Sequence, residues 1–339
     1  MNRIALIMKK SFFSIFLSLA CIPIFSLTES TGFPQANISN GIIFLRSFLP
    51  DALKGYYRGT RFDWSGVIPS LEFNGHSYCA QWFEKYDPTT HDAIMGPVES
   101  FSPLGYDDAR PGGSFVQIGV GVLSKKDEST YSPFKYYPIL NAGSWKVLQK
   151  ATSIEFIHIL RDRQYSYRYK KTIALPKGKP VLVLMHSLRN TGSKTIETSV
   201  YNHNLFVFDH QVTGPPFVTK FPFMISADPQ GQHGFGPGSI ALIQKNQIVF
   251  NRELLKAANE QFYSNLHGYS NDSKDYNIRI ENHKTGAALK ITSDRPISKL
   301  AFWGSATVFS PEPYIQIRVK PGQIFNWNIY YEFYTCELQ

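Results

Sequence analysis

Ser153-Ile-Glu-Phe-Ile-His-Ile-Leu160, Tyr165-Ser-Tyr-Arg-Tyr-Lys-Lys-Thr-Ile-Ala-Leu175 and, beyond the break Pro176-Lys-Gly178, Val181-Leu-Val-Leu-Met-His-Ser-Leu188 decide the fold. Each run is short, rich in β-branched or aromatic residues and closed by a turn signal, which is the pattern of strands. The same rhythm continues in both directions. Upstream lie Ile38 to Phe48, then a turn at Pro50-Asp51, and Phe115 to Leu123. Downstream come Thr198 to Phe208, Ile240 to Phe250, Tyr276 to Glu281, Ala288 to Thr292, Leu300 to Phe309 and Phe325 to Tyr334. Asn190-Thr-Gly192, Lys284-Thr-Gly286 and Lys320-Pro-Gly322 punctuate them. Many short strands at regular spacing predict an all-β sandwich or barrel. One helix is expected, over Arg252 to Ser264, where Leu254, Leu255, Ala258 and Phe262 fall at helical spacing. No linker composition or internal repeat divides the chain, so a single domain over residues 38–335 is expected.

Composition narrows the class. Aromatics make up 15% of the 339 residues and charged residues only 18%, which excludes intrinsic disorder. The net charge of +9 is scattered, in nothing longer than pairs such as Lys125-Lys126 and Lys170-Lys171. A nucleic-acid binder concentrates its charge, so a solvated surface is expected and no nucleic-acid partner. Residues 1–30 read as a secretory signal: Arg3, Lys9 and Lys10, then the apolar stretch Phe12 to Phe25, then small and polar residues. That stretch is too short for a stable membrane span, so an exported protein, periplasmic or extracellular, is expected. Leu17-Ser-Leu-Ala-Cys21 partly resembles a lipoprotein processing site, but Ser18 stands where an apolar residue belongs, and lipid anchoring at Cys21 is the lesser expectation. Without that segment only Cys79 and Cys336 remain, read as two unpaired thiols with a bridge as the alternative.

Several chemistries lack their motifs. There is no Walker-type loop and no Gly-x-Ser-x-Gly elbow, and Gly234-Phe-Gly236-Pro-Gly238 lacks the strand–turn–helix setting of a dinucleotide turn. His203 and His210 stand seven apart and no His-Glu-x-x-His occurs. Asp209-His210 would need further ligands from elsewhere, so no metal site is expected. What remains is Tyr201-Asn202-His203-Asn204 inside a strand. Asparagine is depleted in strands, and two of them flanking a histidine need an explanation. A histidine bonded across neighbouring strands would supply one, and a chemical centre another. Glu312 follows an apolar strand, between Pro311 and Pro313 that restrict its backbone. It reads either as a fixed carboxylate or as an ordinary turn residue. Trp303, Phe309 and Tyr314 around it offer flat faces for a sugar ring, or a core.

The run Thr198-Ser-Val-Tyr-Asn-His-Asn-Leu-Phe206 resembles the strand of the galactose mutarotase-like, or aldose 1-epimerase, superfamily that carries an Asn-His pair before an aromatic. Ile278 to Gly286 and Leu289 to Pro296 resemble its late hairpin, Leu300-Ala-Phe-Trp303 and Glu312-Pro313 follow in its order, and Lys320 to Trp327 resembles its closing turn and strand. The resemblance covers Lys179 to the end. Before that it rests on an opening hairpin from Gly59 to Tyr78, while Tyr56 to Trp64 and His91 to Glu99 depart from the pattern and mark a divergent branch. It implies a large β-sandwich (a supersandwich) with few short helices, a sugar or sugar derivative as substrate, and no metal or organic cofactor. It also implies His203 as general acid and Glu312 as general base for opening the sugar ring at the anomeric carbon. Arg61, His91, Arg110, Tyr201 and Trp303 are the candidate substrate contacts, because sugar hydroxyls need convergent donors and a flat face. For Arg61 and Arg110 the alternative is a structural ion pair with Asp63 or Asp107, and for His91 a loop cap. Glu84 and Glu99 stay unassigned. A sugar-binding protein without catalysis, or another enzyme on the same scaffold such as a glycan lyase or an epimerase of modified sugars, remain open readings.

Overall fold

Alternation along the deciding stretch sets its two faces. Tyr167, Tyr169, Lys171 and Ile173 are buried while their neighbours are less so, and the even positions from Leu182 to Asn190 repeat the pattern. Side chains two apart share a face of a strand, so both segments lay one face on a core. The computed structural model describes residues 32–228, 235 and 239–338. The predicted secretory signal, Cys21 and most of the glycine-rich run at 234–238 lie outside them. From Phe33 onward the chain forms one compact unit.

Among the described residues, four antiparallel sheets build it. The first joins β1 (Gln35–Ser39), β2 (Ile43–Phe48), β3 (Val67–Phe73) and β4 (His76–Cys79) in order. A six-stranded sheet runs β15 (Ser226–Ala227), β18 (Gln261–His267), β21 (Lys299–Ser305), β22 (Phe309–Val319), β13 (Ile196–Leu205), β5 (Gly96–Phe101). A ten-stranded sheet runs β16 (Ala241–Gln244), β17 (Gln247–Phe250), β14 (Phe217–Lys220), β19 (Asn277–Asn282), β20 (Ala287–Ser293), β23 (Ile324–Thr335), β12 (Val181–Asn190), β11 (Tyr167–Ala174), β10 (Ser153–Leu160), β9 (Ser144–Lys150). A three-stranded sheet joins β6 (Ser114–Gln117), β7 (Gly121–Ser124) and β8 (Ile139–Asn141). The two large sheets face each other across the main core, and Tyr331 Oη on β23 donates to Asn204 Oδ1 on β13 at 2.8 Å across it. On the outer face of the six-stranded sheet, Val98, Leu205 and Val308 join a second apolar cluster with Tyr57, Phe62 and Trp64.

Four expected elements differ. Ile38 to Phe48, Phe115 to Leu123 and Ile240 to Phe250 are each a hairpin, turned at residues with positive φ: Gly41 (84°), Gly119 (79°) and Lys245 (60°). Gly119 is also required sterically, since a Cβ there would lie 2.6 Å from Asp63 Oδ1. The helix expected over Arg252 to Ser264 is absent. Only a 3-10 turn, Lys256–Ala258, forms, and Phe262 is buried from β18. Leu255 is 55% exposed, so the helical spacing never becomes a buried stripe. Glu260 takes the Leu255 N–H at 2.6 Å and Asn259 turns left-handed at φ 50°, which closes the turn. Among the described residues no helix is long and apolar enough to cross a membrane. Cys79 and Cys336 are both free.

Candidate functional site

Glu312 is not in a turn. It lies inside β22, paired through Ala301 with β21, and is 5% exposed. Its prolines explain the local geometry. Phe309 exchanges both backbone hydrogen bonds with Phe206, so by strand alternation Pro311 and Pro313 also direct their backbones toward β13. Proline has no N–H to give, and the β13–β22 ladder is interrupted between Tyr201↔Tyr314 and Phe206↔Phe309. The register across the gap sets His203 opposite Glu312. Both this pair and Tyr201/Tyr314 occupy positions without mutual backbone bonds, where opposed side chains come closest. Tyr201 and Tyr314 stack at 4.4 Å, and His203 Nε2 lies 3.2 Å from Glu312 Oε1.

The pair lies in the wall of a cavity of about 560 Å³. Tyr201, Tyr314, Trp303 and Tyr263 come from the sheet, while Arg61, Asp92, Trp82 and Phe134 arrive on loops. Gln261 Oε1 accepts from Trp303 Nε1 at 3.2 Å and fixes the indole, and Trp82 Nε1 donates to the Ile94 carbonyl at 2.9 Å. The Arg61 guanidinium, buried against the rings of Phe62 and Phe134, donates to Asp92 Oδ1 at 2.5 Å and to Tyr201 Oη at 3.1 Å.

Electrostatics follow from this enclosure. The His203 ring sits edge-on to Phe62 and Trp303, and burial, helped by the Arg61 charge, holds it well below the ordinary histidine value. Burial raises Glu312 to about 7, with Arg61 and Lys299 opposing. Burial pushes Asp92 up, but His91 and Arg61 override it and keep Asp92 below the ordinary carboxylate value. Below about pH 7 the pair therefore favours a proton on Glu312 over one on His203. His203 Nδ1 is buried without a partner among the described residues.

The candidates named from sequence divide cleanly. His203, Glu312, Arg61, Tyr201 and Trp303 meet at the cavity. His91 does not line it. Its Nε2 lies 2.9 Å from Asp92 Oδ2, so it supports the carboxylate that holds Arg61. The Arg61 partner is thus Asp92, not Asp63. Arg110 is exposed in a separate turn, its carbonyl accepting from the Gly113 N–H, and does not line the cavity. Asp92, Trp82, Phe134, Gln261 and Tyr263 went unnamed, although Asp92 stands beside His91. Phe309 belongs to the core.

Glu99 proves fully buried on the other face of the same sheet. It contacts Lys171, lies 2.8 Å from His186 Nε2 and accepts from Asn202 Nδ2 at 3.0 Å. Asn204 Nδ2 donates to the Pro311 carbonyl at 2.7 Å. Both asparagines flanking His203 thus face the inter-sheet core, while His203 faces the cavity.

No protein-family model matches the sequence, and the search of curated proteins gives no match. Solved structures do match in fold. An Escherichia coli K12 protein provisionally assigned as an aldose 1-epimerase superposes with TM-score 0.54 at 14% identity, covering 90% of this chain and 100% of its own. A galactose mutarotase related enzyme from Lactobacillus acidophilus gives 0.52 at 12%, over 90% and 99%. An aldose epimerase homologue from C. elegans gives 0.52 at 13%, over 90% and 99%. The fold is that of the galactose mutarotase-like structures, reached by a divergent sequence.

Proposed function

We propose that this chain is a carbohydrate-active protein that interconverts the anomers of a reducing sugar. The observation that carries the reading is the contact of His203 Nε2 with Glu312 Oε1 in the wall of an aromatic cavity. Ring opening requires removal of the proton from the anomeric hydroxyl and delivery of one to the ring oxygen as the C1–O bond breaks. One group accepts while the other donates, the freed aldehyde rotates about C1–C2, and closure on the other face reverses both transfers. In the proposed cycle Glu312 as carboxylate accepts and His203 as imidazolium donates. The tautomer that burial favours, neutral His203 beside protonated Glu312, is the state that cycle reaches after ring opening. The pair needs a single proton throughout, and each member of such a pair contributes roughly 10²–10⁴-fold. Trp303 and Tyr314 would stack on the sugar, and Arg61 and Tyr201 would bond its hydroxyls. Export by the N-terminal segment belongs to the same proposal and is checked by fractionating cells that express the full chain.

A second reading, sugar binding without turnover, draws on the unpartnered Nδ1 of His203, because a catalytic imidazole is commonly oriented through its second nitrogen. One experiment separates them. NMR exchange between the anomers of a bound reducing sugar should be accelerated by the wild type and lost in His203→Gln and Glu312→Gln. Binding without accelerated exchange decides for the second reading, and undiminished exchange in either variant removes the acid–base assignment.

A further inference from the structure

The cavity that holds His203 and Glu312 has a neighbour. A second cavity of about 440 Å³ opens on the far side of Trp82 and Gln261, and both residues line both spaces. Each cavity alone falls within the roughly 300–1,000 Å³ of small-molecule sites. Trp82 is held between the two, edge-on to Trp303 at 5.5 Å in one and to Phe83 at 5.6 Å in the other. The second space carries no buried acid–base pair. It offers Phe83 as a flat wall and the side chains of Lys256, Asn259 and Thr307 as bonding groups. Aromatic faces with scattered polar groups suit a sugar ring, whose faces are apolar and whose rim is hydroxylated.

Charge narrows the ligand further. Arg61 is matched by Asp92, Lys256 lies 3.6 Å from Glu84, and Arg252 bonds Glu260 at 2.8 Å. Lys85 also lines the second space without an ion pair among the described residues, but with the other charges matched a single lysine makes no concentrated field of one sign for a phosphate or a carboxylate. Chemistry fixes the orientation. Ring opening acts only on a free anomeric hydroxyl, so the reducing unit must sit against His203 and Glu312, and any further units extend away from them.

We infer that the site takes the reducing end of an uncharged oligosaccharide, with its second sugar unit in the cavity beyond Trp82 and Gln261. The inference rests on the sugar reading proposed above, and its reducing-end orientation on ring opening; occupancy of both cavities by one chain of sugars does not need catalysis. It is tested by calorimetric titration of the full chain with glucose, galactose, mannose and glucose 6-phosphate, and with maltose, cellobiose, lactose and their trisaccharides, alongside anomer exchange on each. The best neutral oligosaccharide should bind at least about tenfold more tightly than its reducing-end monosaccharide, a difference of about 1.4 kcal/mol. Lys256→Ala combined with Asn259→Gly, both exposed positions and the second one left-handed, should remove most of that gap while weakening the monosaccharide less than about twofold. Equal affinity for mono- and oligosaccharides, equal losses in the variant, tighter binding of glucose 6-phosphate, or no binding across the panel each overturn the inference. A preserved oligosaccharide preference without accelerated exchange upholds the second sugar site but overturns ring opening, and with it the reducing-end orientation.

Discussion

A neutral imidazole beside a carboxylic acid carries the same single proton as an imidazolium beside a carboxylate. Folding moves that proton from one partner to the other, because burial lowers His203 well below its ordinary value of 6.5 and raises Glu312 from 4.5 to about 7. Taken alone, Glu312 binds more protons folded than unfolded, so its contribution to stability is lost as pH rises through about 7. Taken alone, His203 binds fewer protons folded, so its contribution is gained as pH rises toward 6.5. As pH rises toward 6.5 the two slopes oppose each other, so the pair adds little pH dependence there. Glu312→Gln removes one slope and exposes the other. Relative to wild type, which loses the Glu312 contribution between 4.5 and about 7, the variant should gain about 1.4 kcal/mol of stability per pH unit over that window, read from denaturant midpoints. Parallel pH profiles for the two proteins would contradict the proton placement. On the proposed ring opening the same count sets a limit: above about 7 the folded pair loses its one proton, so exchange should fall as pH rises further.

Strand β13 divides its side chains between two tasks, with Tyr201 and His203 in the cavity and Asn202 and Asn204 in the inter-sheet core. Asn204 is the tighter constraint. Its amide donates to the carbonyl of Pro311, next to Glu312, and its oxygen accepts from Tyr331 on the opposite sheet. Asn204→Ala should strand both partners, at about 1–3 kcal/mol for each unsatisfied buried group, and loosen β22 where the ladder is already open. A lowered melting temperature together with reduced anomer exchange in the folded variant is expected, and unchanged exchange would show that the gap in the ladder is held without it. These two asparagines were legible in sequence as residues a strand disfavours, but their reason was not, since it lies on the face opposite His203. Glu312 was legible as a carboxylate fixed between prolines, yet its place inside a strand depended on pairing with β21. Asp92, Trp82 and Phe134 escaped notice because they come from loops, where no periodicity marks which side chain points inward. At Leu254 and Phe262 the periodicity itself misleads, since both are buried but only from a loop and a strand.

Across the whole molecule, strand rhythm and turn residues were enough to specify an all-β protein, because that information is local. The pairing of β12 with β23, and of β13 with both β5 and β22, joins segments far apart in sequence and leaves no local trace. The charged cluster between the large sheets is a product of that long-range pairing. Lys171 on β11 and His186 on β12 converge on Glu99 of β5, all three with fully buried side chains. Burial alone would raise Glu99, but Lys171 and His186 override it and hold it down to about 2. An ionised carboxylate only accepts, so His186 Nε2 must be the donor toward it. Asp63 nearby is raised by burial and by Glu99 to about 7 even with Lys171 opposing, so Lys171 acts on both acids of the cluster while His186 acts on Glu99. Breaking a buried ion pair from one side strands a charge, typically at about 3–5 kcal/mol, whereas replacing both partners is far milder. Lys171→Met should therefore lower the unfolding free energy by about 3–5 kcal/mol, and adding Glu99→Gln to it should restore much of the loss rather than deepen it. Denaturant unfolding of the wild type, both single variants and the double variant closes the cycle. Losses that simply add would mean that the two side chains are not coupled across the sheets, and that apolar packing alone sets how β5 faces β11 and β12.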